Sequence, residues 1–85
     1  MKTDKTEMFK LTSVEKMADY RVVGISDLAP HELKIRLSSH GLTPGSILKL
    51  LRSGSWTPLL IELRGGLLAI SGQEAEYIQV SQFVS

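Results

Sequence analysis

The chain has 85 residues, of which 42% are hydrophobic and 22% charged, with a formal net charge of +1. That length holds one small domain with a thin core, too small for a layered enzyme with a deep cleft. The near-neutral charge gives no electrostatic reason to seek nucleic acid or an anionic membrane, and the absence of cysteine removes disulfides, thiolate metal sites and thiol nucleophiles together.

Residues 1–10 read as a flexible leader. The polar start Met1–Glu7 has no apolar stretch behind it and so does not read as a secretory signal. No segment approaches the roughly 20 apolar residues that span a bilayer. A cytoplasmic domain over 11–81 is therefore expected, with 82–85 as a tail. Leu11–Val14 suggests a short turn or edge segment. Tyr20–Ser26 reads as the first strand, with Arg21, Val23 and Ile25 on one face and Val22 on the other. Gly24 inside it marks a bulge or a close backbone approach.

A helix is expected from Pro30 to His40. Pro30 suits a first turn, where its missing N–H would have had no partner, Glu32 complements the helix dipole, and Asp27 is placed to help cap from upstream. Leu33 and Leu37 stack on one face, joined by Ile35 or the stem of Arg36, while Lys34 and Ser38 meet water. Gly41 falls where helices end in a left-handed residue. Pro44-Gly45 fits the centre of a type II turn, Pro fixing the first φ and Gly accepting a positive second one. Strands follow at Ile47–Arg52, Leu59–Arg64, Leu67–Ser71 and Tyr77–Ser81. A loop over 53–58 separates the first two, Gly65-Gly66 makes a tight hairpin connection, and Gln73-Glu74-Ala75 suggests a single helical turn. The elements describe a mainly β fold, a small SH3-like five-stranded barrel with one α-helix inserted after the first strand.

Chemistry is sparse. His31 and His40 are the only histidines; nine residues apart on a helix, they fall on opposite sides and are weak metal candidates, able to share an ion only across two chains. No serine sits in a nucleophile elbow, and no phosphate-loop pattern occurs. Glu74 and Glu76 read as solvated rather than as a catalytic pair. Lys34, Arg36, Lys49, Arg52 and Arg64 alternate with core positions, as on a solvent face or a basic patch for an acidic partner; with 6% aromatics the stacking platforms of a nucleic-acid binder are missing. Trp56 lies in a polar loop, and Leu42 lies just past the helix. Each either caps the core or anchors a partner, and with Arg52 they form the expected partner-binding set.

Four pieces taken together resemble the FeoA family, the small ferrous iron transport protein A of bacteria. They are the strand Tyr20–Ile25, the RL-x-x-x-GL-x-PG run from Arg36 to Gly45, Pro58 opening an apolar strand, and the closing segment Leu68–Val80. Ser71 stands where that family commonly carries a basic residue. The motif positions Arg36, Leu37, Gly41, Pro44, Gly45, Glu74 and Ala75 carry the resemblance. It implies an SH3-like barrel without cofactor or enzymatic activity. The implied partner is the membrane ferrous iron transporter FeoB, through its cytoplasmic GTP-binding part. Self-association stays open. The alternative class is a stand-alone relative of the SH3-like regulatory domain of metal-dependent transcriptional repressors, and a third is a small metal- or ligand-binding domain.

Overall fold

A computed structural model describes residues 8–14, 17–52 and 58–83. Strands β1 (Phe9–Lys10) and β2 (Asp19–Ile25) precede helix α1 (His31–Ser39); β3 (Ile47–Arg52), β4 (Leu59–Leu63), β5 (Gly66–Ile70), the short helix α2 (Gly72–Ala75) and β6 (Ile78–Gln82) follow. A 3-10 turn, Leu11–Ser13, stands where a turn or edge segment was expected. The described strands form one antiparallel sheet in the order β1-β6-β2-β3-β4-β5. It has six strands rather than five because Phe9 and Lys10, assigned from sequence to the leader, pair with Val80 and Gln79. The helix accordingly comes after the second strand. Gln82, expected in the tail, is the last residue of β6 and pairs with Tyr20.

Alternation along the strands builds the core. Tyr20 and Val22 from β2, Leu48 and Leu50 from β3, and Leu59, Ile61 and Leu63 from β4 point inward with Ile70, Ile78 and Val80. The ladder between β2 and β6 shifts register between Val22 and Gly24, the irregularity that Gly24 foretold.

Helix α1 begins after Pro30, which serves as N-cap rather than as first helical residue, and no side chain caps it; Asp27 does not take that role. Leu37 is buried and Leu33 packs against the core, whereas Ile35, offered as cover, faces solvent. At the other end, Gly41 has φ +97°. Its N–H donates to the Ser38 carbonyl at 2.9 Å, and the Leu42 N–H donates to the Leu37 carbonyl at 3.0 Å. These two bonds are the Schellman arrangement, which brings the residue after the glycine back against the helix. Leu42 is consequently 0% exposed. The expectation of Leu42 as an exposed partner anchor is wrong: it is core.

The chain then reverses at Thr43–Ser46. Ser46 N–H donates to the Thr43 carbonyl at 3.0 Å, and Gly45 has φ +92°, as the proline-glycine turn requires. The turn docks on β2, with Gly45 N–H to the Val22 carbonyl at 2.8 Å and Val22 N–H to the Ser46 carbonyl at 2.7 Å. The later hairpin turns one residue earlier than expected. Its two loop residues are Arg64 (φ +55°) and Gly65 (φ +83°), and Leu63 pairs with Gly66. Positive φ at both loop residues gives the twist that suits a two-residue hairpin, and this register keeps Leu59, Ile61 and Leu63 on the core side.

Candidate interaction groove

The link from β2 to α1 is a tight turn. Ala29 N–H donates to the Ser26 carbonyl at 3.1 Å, and Leu28 N–H donates to Ser26 Oγ at 3.1 Å. The serine hydroxyl thus fixes the turn locally, and Pro30 next in line restricts it further. Leu28 is held outward, 85% exposed, more than any other large hydrophobic residue described.

Beside it lies an open groove of about 870 Å³ between α1 on one side and α2 with β6 on the other. Leu28, Pro30, Leu33 and Tyr77 supply its apolar lining. Two ion pairs cross its walls. Arg36 Nη2 bonds Glu74 Oε2, linking α1 to α2. Lys10 Nζ meets Glu76 Oε1 at 3.2 Å, and Thr12 Oγ1 donates to Glu76 Oε2 at 3.1 Å. Those hydrogen bonds from Lys10 and Thr12, with the lysine charge, hold the Glu76 carboxyl below its ordinary pKa. Glu32, also at the groove, joins neither pair.

Glu74 has a second task. Its Oε1 accepts from the Ser71 N–H at 3.3 Å while Ser71 Oγ accepts from the Glu74 N–H at 3.2 Å. This capping box closes the N-terminus of α2 and gives Ser71 a structural role. Ala75, fully buried, seats α2 on the core.

The residues singled out from sequence do not gather into one site. His31 is exposed in the first turn of α1, and His40 at its C-cap has Nδ1 2.8 Å from the Arg36 carbonyl oxygen. Among the described residues no three His, Cys, Asp or Glu side chains cluster as a metal site. Arg52 is exposed and turns its guanidinium to the Pro58 carbonyl at 3.3 Å, bracing the ends of β3 and β4. Trp56 lies outside the described residues. Leu28 was missed in the sequence because a lone leucine in a turn carries no periodic signal; its only marker is the Ser-x-Leu spacing of the turn.

The partly open antiparallel sheet, its long β2–β3 connection carrying a helix and its last strand returning beside β2, defines the chain as an SH3-like domain. The FeoA domain model matches residues 9–82, and the chain belongs to that family. The solved structure of an iron uptake regulatory protein, FeoA, is 29% identical, with a TM-score of 0.78 over 88% of this chain and 97% of that one. The FeoA protein of Chlorobium tepidum is 28% identical, with a TM-score of 0.78 over 89% of this chain and 71% of that one. A manganese-dependent transcriptional repressor superposes with a TM-score of 0.82 at 17% identity, matching 94% of this chain to 44% of its own length; that likeness is one of fold. Among curated proteins, none matches this chain. Family membership associates the chain with ferrous iron transport. No helix among the described residues is long and apolar enough to cross a membrane.

Proposed function

We propose that this chain is a non-enzymatic, cytoplasmic accessory of ferrous iron transport whose groove between α1 and α2 binds the cytoplasmic part of an FeoB-type transporter. The observation that carries this reading is Leu28, fixed by the Ser26 hydroxyl and exposed at the mouth of an apolar-lined groove. A preorganised apolar side chain beside a cleft gives affinity at little ordering cost. The groove's cations are committed to Glu74 and Glu76, which supports a binding surface over a reaction centre. Arg52, exposed at the far end of β3, steers the encounter without adding much affinity. The test is titration of the isolated cytoplasmic part of the transporter with the parent and with Leu28→Ala. The variant is expected to bind at least about tenfold more weakly, with its melting temperature unchanged. Equal affinity for the two proteins rejects the groove as the contact.

A further inference from the structure

The outward face of β3 and β4 carries two opposite charges, Lys49 and Glu62, that form no ion pair among the described residues. Inward positions on these strands are Leu48, Leu50, Ile61 and Leu63, all core; alternation therefore turns Lys49, Leu51, Leu60 and Glu62 outward. Lys49 and Glu62 are directly opposite in the β3–β4 ladder. Neither belongs to the two ion pairs found among the described residues. Asp19 continues this row on β2, and Leu67, 67% exposed, continues it on β5. In the next row, a register shift between Leu50 and Arg52 leaves Leu51 exposed beside half-buried Leu60, which pairs with Ala69. The face thus carries exposed leucines around one row of charges, Asp19, Lys49 and Glu62, in which Lys49 and Glu62 sit side by side on neighbouring strands.

We infer that a second copy of this chain covers this face, related to the first by a two-fold axis running along the strands between β3 and β4. Such an axis lays β3 of each copy over β4 of the other. Lys49 then meets Glu62 of the partner subunit, Leu51 meets Leu60 of the partner subunit, and each contact is made twice. The charges also disfavour one other face-to-face arrangement. A two-fold axis across the strands at the level of Lys49 stacks β3 on β3 and sets Lys49 against Lys49 of the partner subunit, a like-charge contact. The adjacency of the two charges makes the surface complementary to itself, the property a second copy needs and an unrelated partner does not. The face is separate from the groove that Leu28 flanks.

The test uses sedimentation velocity on the full chain from about 10 µM to 1 mM, the range in which weak association is read. The parent is expected to form a concentration-dependent dimer. Lys49→Glu alone and Glu62→Lys alone each place like charges in both contacts and are expected to weaken dimerisation by about tenfold or more. An equimolar mixture of these two variants restores opposite charges in both contacts and is expected to form a heterodimer about as tight as the parent dimer. Repulsion within one chain cannot be relieved by mixing, so the mixture separates the interface from an effect on folding. A parent that stays monomeric throughout overturns the inference. So does a dimer indifferent to both charge reversals, or a mixture that remains monomeric.

Discussion

Arg36 in the last turn of α1 and Glu74 in α2, 38 residues apart, are joined by an ion pair. The same carboxylate closes the capping box with Ser71, so one side chain ends one helix and ties it to another. Glu74→Ala removes both interactions and should cost about 1–2 kcal/mol, most of it from the cap. Arg36→Ala removes only a half-exposed ion pair, worth less than about 1 kcal/mol. Urea denaturation of the two variants measures the difference, and equal losses would show that the bond from the Ser71 N–H to the Glu74 carboxylate contributes nothing.

Gly41 and Gly45 both hold left-handed φ values, but their surroundings differ. A Cβ on Gly41 would lie 3.3 Å from Leu63 Cδ2, whereas one on Gly45 would meet nothing within 4 Å. Gly45→Ala is expected to cost about 1 kcal/mol through backbone strain alone, and Gly41→Ala more, because Leu63 must also give way. The ranking is read from denaturation midpoints; a Gly45→Ala protein less stable than Gly41→Ala contradicts it.

Leu42 and Leu28 should respond in opposite ways to the same truncation. Leu42→Ala empties a fully buried site and is expected to cost about 2–5 kcal/mol. Leu28→Ala touches no core and should leave the melting temperature unchanged while weakening transporter binding. Thermal melts and affinity on both proteins separate the two roles, and a stable Leu42→Ala protein would refute the Schellman packing of Leu42.

Arg64 is the only described residue other than glycine with positive φ. Asparagine tolerates that conformation better than arginine does. Arg64→Asn should therefore stabilise the hairpin by about 0.5–1 kcal/mol. A lower urea midpoint for the variant would count against this turn geometry.

Glu76 sets an acid limb. Its folded pKa is depressed by Lys10 and Thr12, so its contribution is present above the ordinary carboxylate range and is lost as pH falls through the folded value. The residue is exposed, so the effect is small. Glu76→Gln should lower the melting temperature slightly at neutral pH and converge with the parent in acid. A gap between the two proteins that widens on acidification would reverse that sign.

Much of the fold was legible because its signals are local. The Pro44-Gly45 turn, the bulge near Gly24 and the burial of Leu37 each follow from residue type and spacing. Misreadings arose where a long-range pairing decided between local options. Gly65-Gly66 reads as the hairpin loop, whereas the ladder pairs Leu63 with Gly66 and leaves Arg64-Gly65 as the loop. Phe9-Lys10 looks like leader until β6 arrives beside it. The position of Leu42 in a connection leaves core and partner anchor both open, yet Leu37, Gly41 and Leu42 already have the spacing of a helix stop that folds its next apolar residue inward. The groove was not legible, since it is assembled from Lys10, Leu28, Arg36 and Tyr77, which no sequence window contains.

The position of β6 between β1 and β2 has a consequence for how the chain reaches its native state. Neither N-terminal strand pairs with the other; Ile78–Gln82 lies between them and pairs with both. On a ribosome, β3, β4 and β5 can zip sequentially as neighbouring hairpins, but Phe9 and the outer edge of Val22 must wait for a segment some seventy residues downstream of Phe9. Closure of so long a loop is slow relative to hairpin formation, so the waiting nascent chain exposes one edge of β2 until the final strand emerges.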